Sequence, residues 1–169
     1  LIGLIPTEVH AEKHMAENIS GAGIVTDSYG FSSIRALFDG KLLSGKAASE
    51  DASLTLEYEG GIGSLYFLFD AACGSYTITD NGSGKSITAG EYGFIHKFVD
   101  LAAAFETAPA SVTVTFPNGV RIFELFVYTP GEVPETVQKW QVPADGKTDL
   151  VLFSTHCHDE QLFFAGVLP

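Results

Sequence analysis

The chain has 169 residues, of which 46% are hydrophobic and only 18% charged, with 13 Phe and 6 Tyr; this is too apolar for a disordered segment and rich in strand formers. A net charge of −12 leaves no basic stripe to exchange counterions with phosphates, which argues against nucleic acid and anionic lipid as partners. No apolar run approaches the roughly 20 residues of a membrane-crossing helix, so no transmembrane segment is expected in this chain, and Cys73 and Cys157 alone make no disulfide framework.

Residues 1–11 open on an apolar run and end in Val9, His10 and Ala11, a small-residue pattern of the kind signal peptidase cleaves after. They read as the tail of a secretory signal, with a short N-terminal strand as the alternative. Residues 1–21 are then a signal remnant and lead, and the expected location is secreted or at the cell surface. From residue 22 to 131 short apolar runs are punctuated by Gly, Asn and Asp, the texture of strands and tight turns. Residues 53–58 (SLTLEY) alternate with period two, residues 64–69 (SLYFLF) are almost wholly apolar, and residues 75–79 (SYTIT) are β-branched before a turn at Asp80, Asn81 and Gly82. Residues 92–99, 111–116 and 120–128 follow, with Pro117, Asn118 and Gly119 read as a tight hairpin turn joining the last two. Six or more antiparallel strands over this length predict a mainly β fold, a sandwich or jelly roll. A short helix over residues 33–38, stopped by Asp39 and Gly40, is the one helical element expected here.

Residues 132–147 change character: prolines bracket Val137, Trp140 and Val142, which reads as a linker whose apolar residues pack on a neighbouring domain. Residues 149–153 (DLVLF) then form a continuous apolar run, expected of a strand buried on both faces in a parallel sheet. Directly after it, residues 154–160 (STHCHDE) crowd two imidazoles and two carboxylates ahead of an apolar, helix-like run at 161–168. Strand, polar loop and helix is a site-forming order, and a His and an Asp three apart can reach one zinc ion. On spacing alone, an Asp159 that merely caps the helix is an equal reading.

Residues 155–169 resemble the signature of the PIG-L/LmbE-type N-acetylglucosaminyl deacetylases, in which a buried strand leads into a His-Pro-Asp-Asp-Glu motif and an apolar helix. The resemblance implies that His156 and Asp159 are zinc ligands and that Glu160 supports the loop. Cys157 stands where the family has Pro, and His158 where it has the general-base Asp, so His158 is an altered catalytic position expected to impair but not necessarily abolish hydrolysis, with an extra metal ligand or a copy without activity as the alternatives. The family's third ligand, a distant downstream His, has no counterpart in His10, His14 or His96. Residues 148–169 are thus expected to be the first strand and helix start of a Rossmann-like α/β deacetylase domain, appended to the sandwich and catalytically incomplete in this chain.

Upstream, residues 36–40, the strand ending at Phe69 and residues 120–128 resemble discoidin-like, galactose-binding-like domains, although no Trp precedes Trp140. The implied fold for residues 22–131 is a jelly-roll β-sandwich and the implied partner is a glycan or cell-wall carbohydrate. Tyr29, Phe31, Tyr92 and Phe94 are the candidate loop aromatics for stacking on sugar rings, with core packing as the competing reading. Asp27, Asp39 and Asp51 are candidate ligands for a structural calcium, and His96 reads as a packing residue. Two functions are expected to compete: a zinc-dependent deacetylase of N-acetylated amino sugars carrying a carbohydrate-binding module, or a binding module whose enzyme domain is missing or inactive.

Overall fold

Alternation in the sequence decides which side of each strand is buried. In strand β7 (Ser111–Phe116) Val112, Val114 and Phe116 are buried while Ser111, Thr113 and Thr115 stand half-exposed between them. The computed structural model describes residues 14–41, 45–71, 73–139 and 146–147. Within them the other strands are β1 (Val25–Phe31), β2 (Lys46–Glu57), β3 (Ser64–Phe69), β4 (Tyr76–Asp80), β5 (Ser86–Ala89), β6 (His96–Asp100) and β8 (Val120–Tyr128). A single turn of helix, α1 (Leu101–Ala104), is capped by the Asp100 carboxylate, which accepts the Ala103 N–H at 2.9 Å.

The ladders between the named strands are antiparallel, and they run in the order β5-β4-β7-β2-β8-β3-β6, with β1 along the free edge of β2. The array folds into two layers at β2. Residues 46–48 of that strand pair with β8, residues 52–57 pair with β7, and between them Asp51 takes a left-handed φ of 58°. The first sheet is therefore β5-β4-β7-β2-β1 and the second is β8-β3-β6 with the start of β2. Phe67 and Phe69 of β3 meet Tyr76 of β4 and Phe116 of β7 with ring centroids 5.6 to 6.4 Å apart, although these strands share no ladder. Facing sheets closed over an aromatic core define an antiparallel β-sandwich, as the strand pattern predicts.

Three local expectations change. Pro117, Asn118 and Gly119 make no hairpin: β7 and β8 run in the same direction along one edge of β2, with Phe116 opposite Ala52 and Val120 opposite Ala48, so the three residues carry the chain onward from one sheet to the other without reversing it. A Pro-Asn-Gly signal marks a break in the regular strand, and such a break need not reverse the chain. The strand expected over residues 92–99 begins only at His96, because Gly90 and Gly93 have φ of 85° and 62° and close a 3-10 turn at Glu91–Gly93. The expected short helix at 33–38 is a 3-10 turn, Arg35–Leu37, whose buried face is Ala36 and Leu37.

Segments outside residues 22–131 also dock. Residues 17–20 continue along the edge of β8 where β2 leaves it: Ile19 N–H donates to Val127 O, Thr129 N–H to Glu17 O, and Val127 N–H to the Ser20 hydroxyl. Val133 and Val137 bury themselves against Tyr66 and Tyr128 on the outer face of the second sheet, with Ala16, Leu68, Phe98 and Phe126 around them. Of the apolar residues expected to pack in the 132–147 segment, Val137 does so. Gly63 shows how closely the cover approaches, since a Cβ there would lie 2.5 Å from Thr129 O and from Pro130 N. The expected strand at 149–153, Trp140 and Val142 lie outside the described residues.

Candidate functional site

Opposed residues in an antiparallel ladder point to the same side, so the registers fix what each outer face carries. On the first sheet, Thr88 lies opposite Thr77, Thr77 opposite Thr115, Thr115 opposite Ser53, and Ser53 opposite Tyr29. Two residues along the strands, a second rank reads Ser86, Thr79, Thr113, Thr55 and Asp27 by the same pairings. Between them on the three central strands, Ile78, Val114 and Leu54 are wholly buried beneath. Among the described residues nothing covers this face, which is thus two parallel ranks of hydroxyls across the five strands of the first sheet, bounded at the β1 end by a phenol and a carboxylate.

The ranks differ in how their hydrogen-bonding capacity is used. In the second, Thr79 Oγ1 lies 2.8 Å from Ser86 Oγ and Thr55 Oγ1 lies 3.0 Å from Thr113 Oγ1, which donates to Asn81 Oδ1 at 3.1 Å. Asn81 in turn donates to Ser111 Oγ at 2.8 Å. In the first rank the side chains of Thr88, Thr77, Thr115 and Ser53 make no hydrogen bond among the described residues, which leaves their donors and acceptors for solvent or ligand. Tyr29, at the end of that rank, is 65% exposed. Beside β1 lies a shallow cleft lined by Asp27, Ser28, Ile34 and Arg35.

The four candidate aromatics do not form one group. Tyr29 stands free on the edge of the hydroxyl face. Phe31, two residues on, is half-buried and meets Phe116 edge to face at 6.2 Å, a core contact. Phe94 is half-buried in the connection to β6, and Tyr92 lies in the 3-10 turn Glu91–Gly93, with its side chain outside what is described. Among the described residues no three His, Cys, Asp or Glu side chains come together to hold a metal ion, so Asp27, Asp39 and Asp51 do not converge. His156, His158, Asp159 and Glu160 lie outside the described residues. His96 is a packing residue: its Nδ1 lies 2.7 Å from the Tyr66 hydroxyl and its ring stacks on that of Tyr66.

Sequence reading picked out the aromatics and passed over Ser53, Thr77, Thr88 and Thr115. The signal was present as hydroxyl residues at alternate positions in 53–55, 77–79, 86–88 and 113–115. Only the pairing register, which no single strand contains, turns those short alternations into ranks.

The electrostatics of the molecule lie elsewhere. Glu124, on the outer face of the second sheet, is 3% exposed and accepts the Gly40 N–H at 3.1 Å; burial pushes its carboxyl above the ordinary range, the Gly40 N–H lowers it, and Asp39 raises it. Asp80, in the β4–β5 turn, is held below the usual carboxylate range by the Ser83 hydroxyl and the Gly82 N–H. No protein-family model matches the chain, and no curated protein matches it.

Proposed function

We propose that this chain is a carbohydrate-binding module of a secreted or cell-surface protein, and that it binds neutral glycan on the uncovered face of the first sheet. The observation that carries the reading is Tyr29, an exposed aromatic ring in line with a rank of unbonded hydroxyls. Sugar rings present apolar faces that stack on such a ring, and hydroxyls that both donate and accept as Thr and Ser do. Glycan-array binding by the full chain, with Tyr29→Ala as the paired variant, tests it. Recognition of one or more neutral glycans, weakened by the substitution, is the expected result; an empty array, or binding indifferent to Tyr29, would sink the reading.

The same proposal extends to the parent protein: a PIG-L/LmbE-type zinc-dependent deacetylase of N-acetylated amino sugars, which this module holds on its substrate polymer. That part rests on the resemblance of residues 155–169, with His156 and Asp159 in the ligand positions and His158 in place of the general base. Zinc, when bound, would supply an activated water. A longer product of the same reading frame, carrying a downstream His, should retain zinc on dialysis and lose it in His156→Ala; retention by that variant would remove His156 from the ligand set.

A further inference from the structure

We infer that the first rank is the contact line for a single extended, uncharged polysaccharide chain lying across the strands, so that the ligand is a run of several sugar units and not one terminal sugar; the inference rests on the glycan reading above. Neighbouring strands are about 4.8 Å apart, so the side chains of Thr88, Thr77, Thr115, Ser53 and Tyr29 recur at that interval over roughly 19 Å. The interval is close to the advance of one sugar unit along an extended chain, and each unit can meet one hydroxyl. A single sugar would touch two of these positions at most and leave the rest solvated.

Charge narrows the ligand further. In a chain of net charge −12, the first rank holds no Asp, Glu, Lys or Arg, which suits a neutral polyol. A polyanion would run past Asp27, exposed at the end of the adjoining rank, and Glu57, exposed at the end of β2. A polycation would find no carboxylate along the line itself. The use of hydrogen bonds separates the ranks in the same sense: the second is largely tied up internally through Thr79, Ser86, Thr55 and Thr113, and the first is open. Tyr29 anchors one end, since it alone offers a ring face in the line.

Sheet twist selects between a single chain and a flat solid. Successive strands rotate by roughly 20° to 25°, so a ligand that follows all five must turn with them. A lone polysaccharide chain can do so by small rotations at its glycosidic bonds. A crystalline polymer surface, or ice, presents a plane and would touch only two or three strands.

The experiment is calorimetric titration of the full chain with β-1,4-linked glucose and N-acetylglucosamine oligosaccharides, from the disaccharide to the hexasaccharide. Affinity should rise with length and level off once the ligand spans the rank. Thr115→Val and Thr77→Val keep the branched shape and delete one hydroxyl, and each should weaken the longest ligand roughly three- to tenfold. Tyr29→Ala should weaken every length about tenfold. A melting curve for each variant confirms that it folds as the parent does. Affinity independent of length, or hexasaccharide binding untouched by both Val variants, would overturn the extended-chain inference while leaving glycan binding in place. Retention on crystalline polysaccharide or on ice, with no soluble oligosaccharide bound, would overturn it in favour of a planar ligand. Failure to bind any carbohydrate would defeat this inference and the reading beneath it together.

Discussion

The two sheets of the sandwich bury similar inner faces and treat their outer faces in opposite ways. The second sheet puts Tyr66, Leu68, Phe98, Phe126 and Tyr128 outward and then covers them with Val133 and Val137. The first sheet puts Thr and Ser outward and among the described residues leaves them uncovered. An apolar outer face has to be paired with something, and here the chain supplies the cover itself; a hydroxyl face is content in water and stays available. The difference separates two contributions within one fold: the covered face adds stability, and the binding proposed for the bare face would cost folding little.

The sharpest way to break this division is Tyr66→Ala. Tyr66 is 5% exposed and stacks on Phe126 at 5.8 Å, and its hydroxyl meets His96 Nδ1 and a backbone hydrogen bond from Gln138. Truncation should cost about 3–5 kcal/mol in urea unfolding, the range for a large buried aromatic. A loss under about 1 kcal/mol would mean that the cover is not part of the folded unit. Gly63→Ala comes next, at about 1–3 kcal/mol, because the new methyl strikes the backbone of Thr129 and Pro130, which cannot yield as a side-chain tip can. Tyr66→Phe isolates the clasp: the ring packing stays, and about 1 kcal/mol should be lost with the hydroxyl.

Glu124→Gln tests the covered face by pH. A raised carboxyl pKa means that the folded chain holds this proton more readily than the unfolded one. The ionised group therefore costs stability above its folded pKa, and the cost fades as pH falls through that value toward the ordinary 4.5. The Gln variant still accepts the Gly40 N–H without the desolvated charge. It should unfold at higher urea than the parent at pH 7, with the gap closing as pH approaches 4.5. A gap that widens on acidification would reverse the sign assigned to Glu124. The smallest effects belong to the bare face: Thr77→Val and Thr88→Val should each change stability by less than about 0.5 kcal/mol. A larger loss would show that the rank is structural after all.

How much of this was legible depended on how far each signal reaches along the chain. Residues 53–58, 64–69 and 111–116 announced strands by alternation or by continuous apolarity, and they are strands, because burial of alternate side chains is written into consecutive positions. Strands β1 and β5 escaped notice. In β1 the edge position leaves residues 26–29 exposed, and β5 has four residues, too few to establish a period. The hairpin assigned to Pro117, Asn118 and Gly119 failed for a different reason: whether the chain turns back on itself or runs on into a second layer is decided by β2, which both flanking strands follow in one direction. The candidate site follows the same rule. Tyr29 could be named as an aromatic from its own position, whereas the line of hydroxyls leading to it exists only after four ladders have been put in register.

The crossing of β2 from one sheet to the other bears on mechanical load. Tension from a ligand held on the first sheet would enter through β7, β2 and β1, and it would leave toward the covered sheet, where Tyr128 and the docked residues 132–137 lie. Between the layers the force need not pass through sliding side chains, because the backbone of β2 runs continuously from residues 52–57 in one ladder to residues 46–48 in the other. The kink at Asp51 is then the point at which pull on one sheet becomes pull on the other, and layers stitched by a covalent strand shear apart only by unzipping its hydrogen bonds.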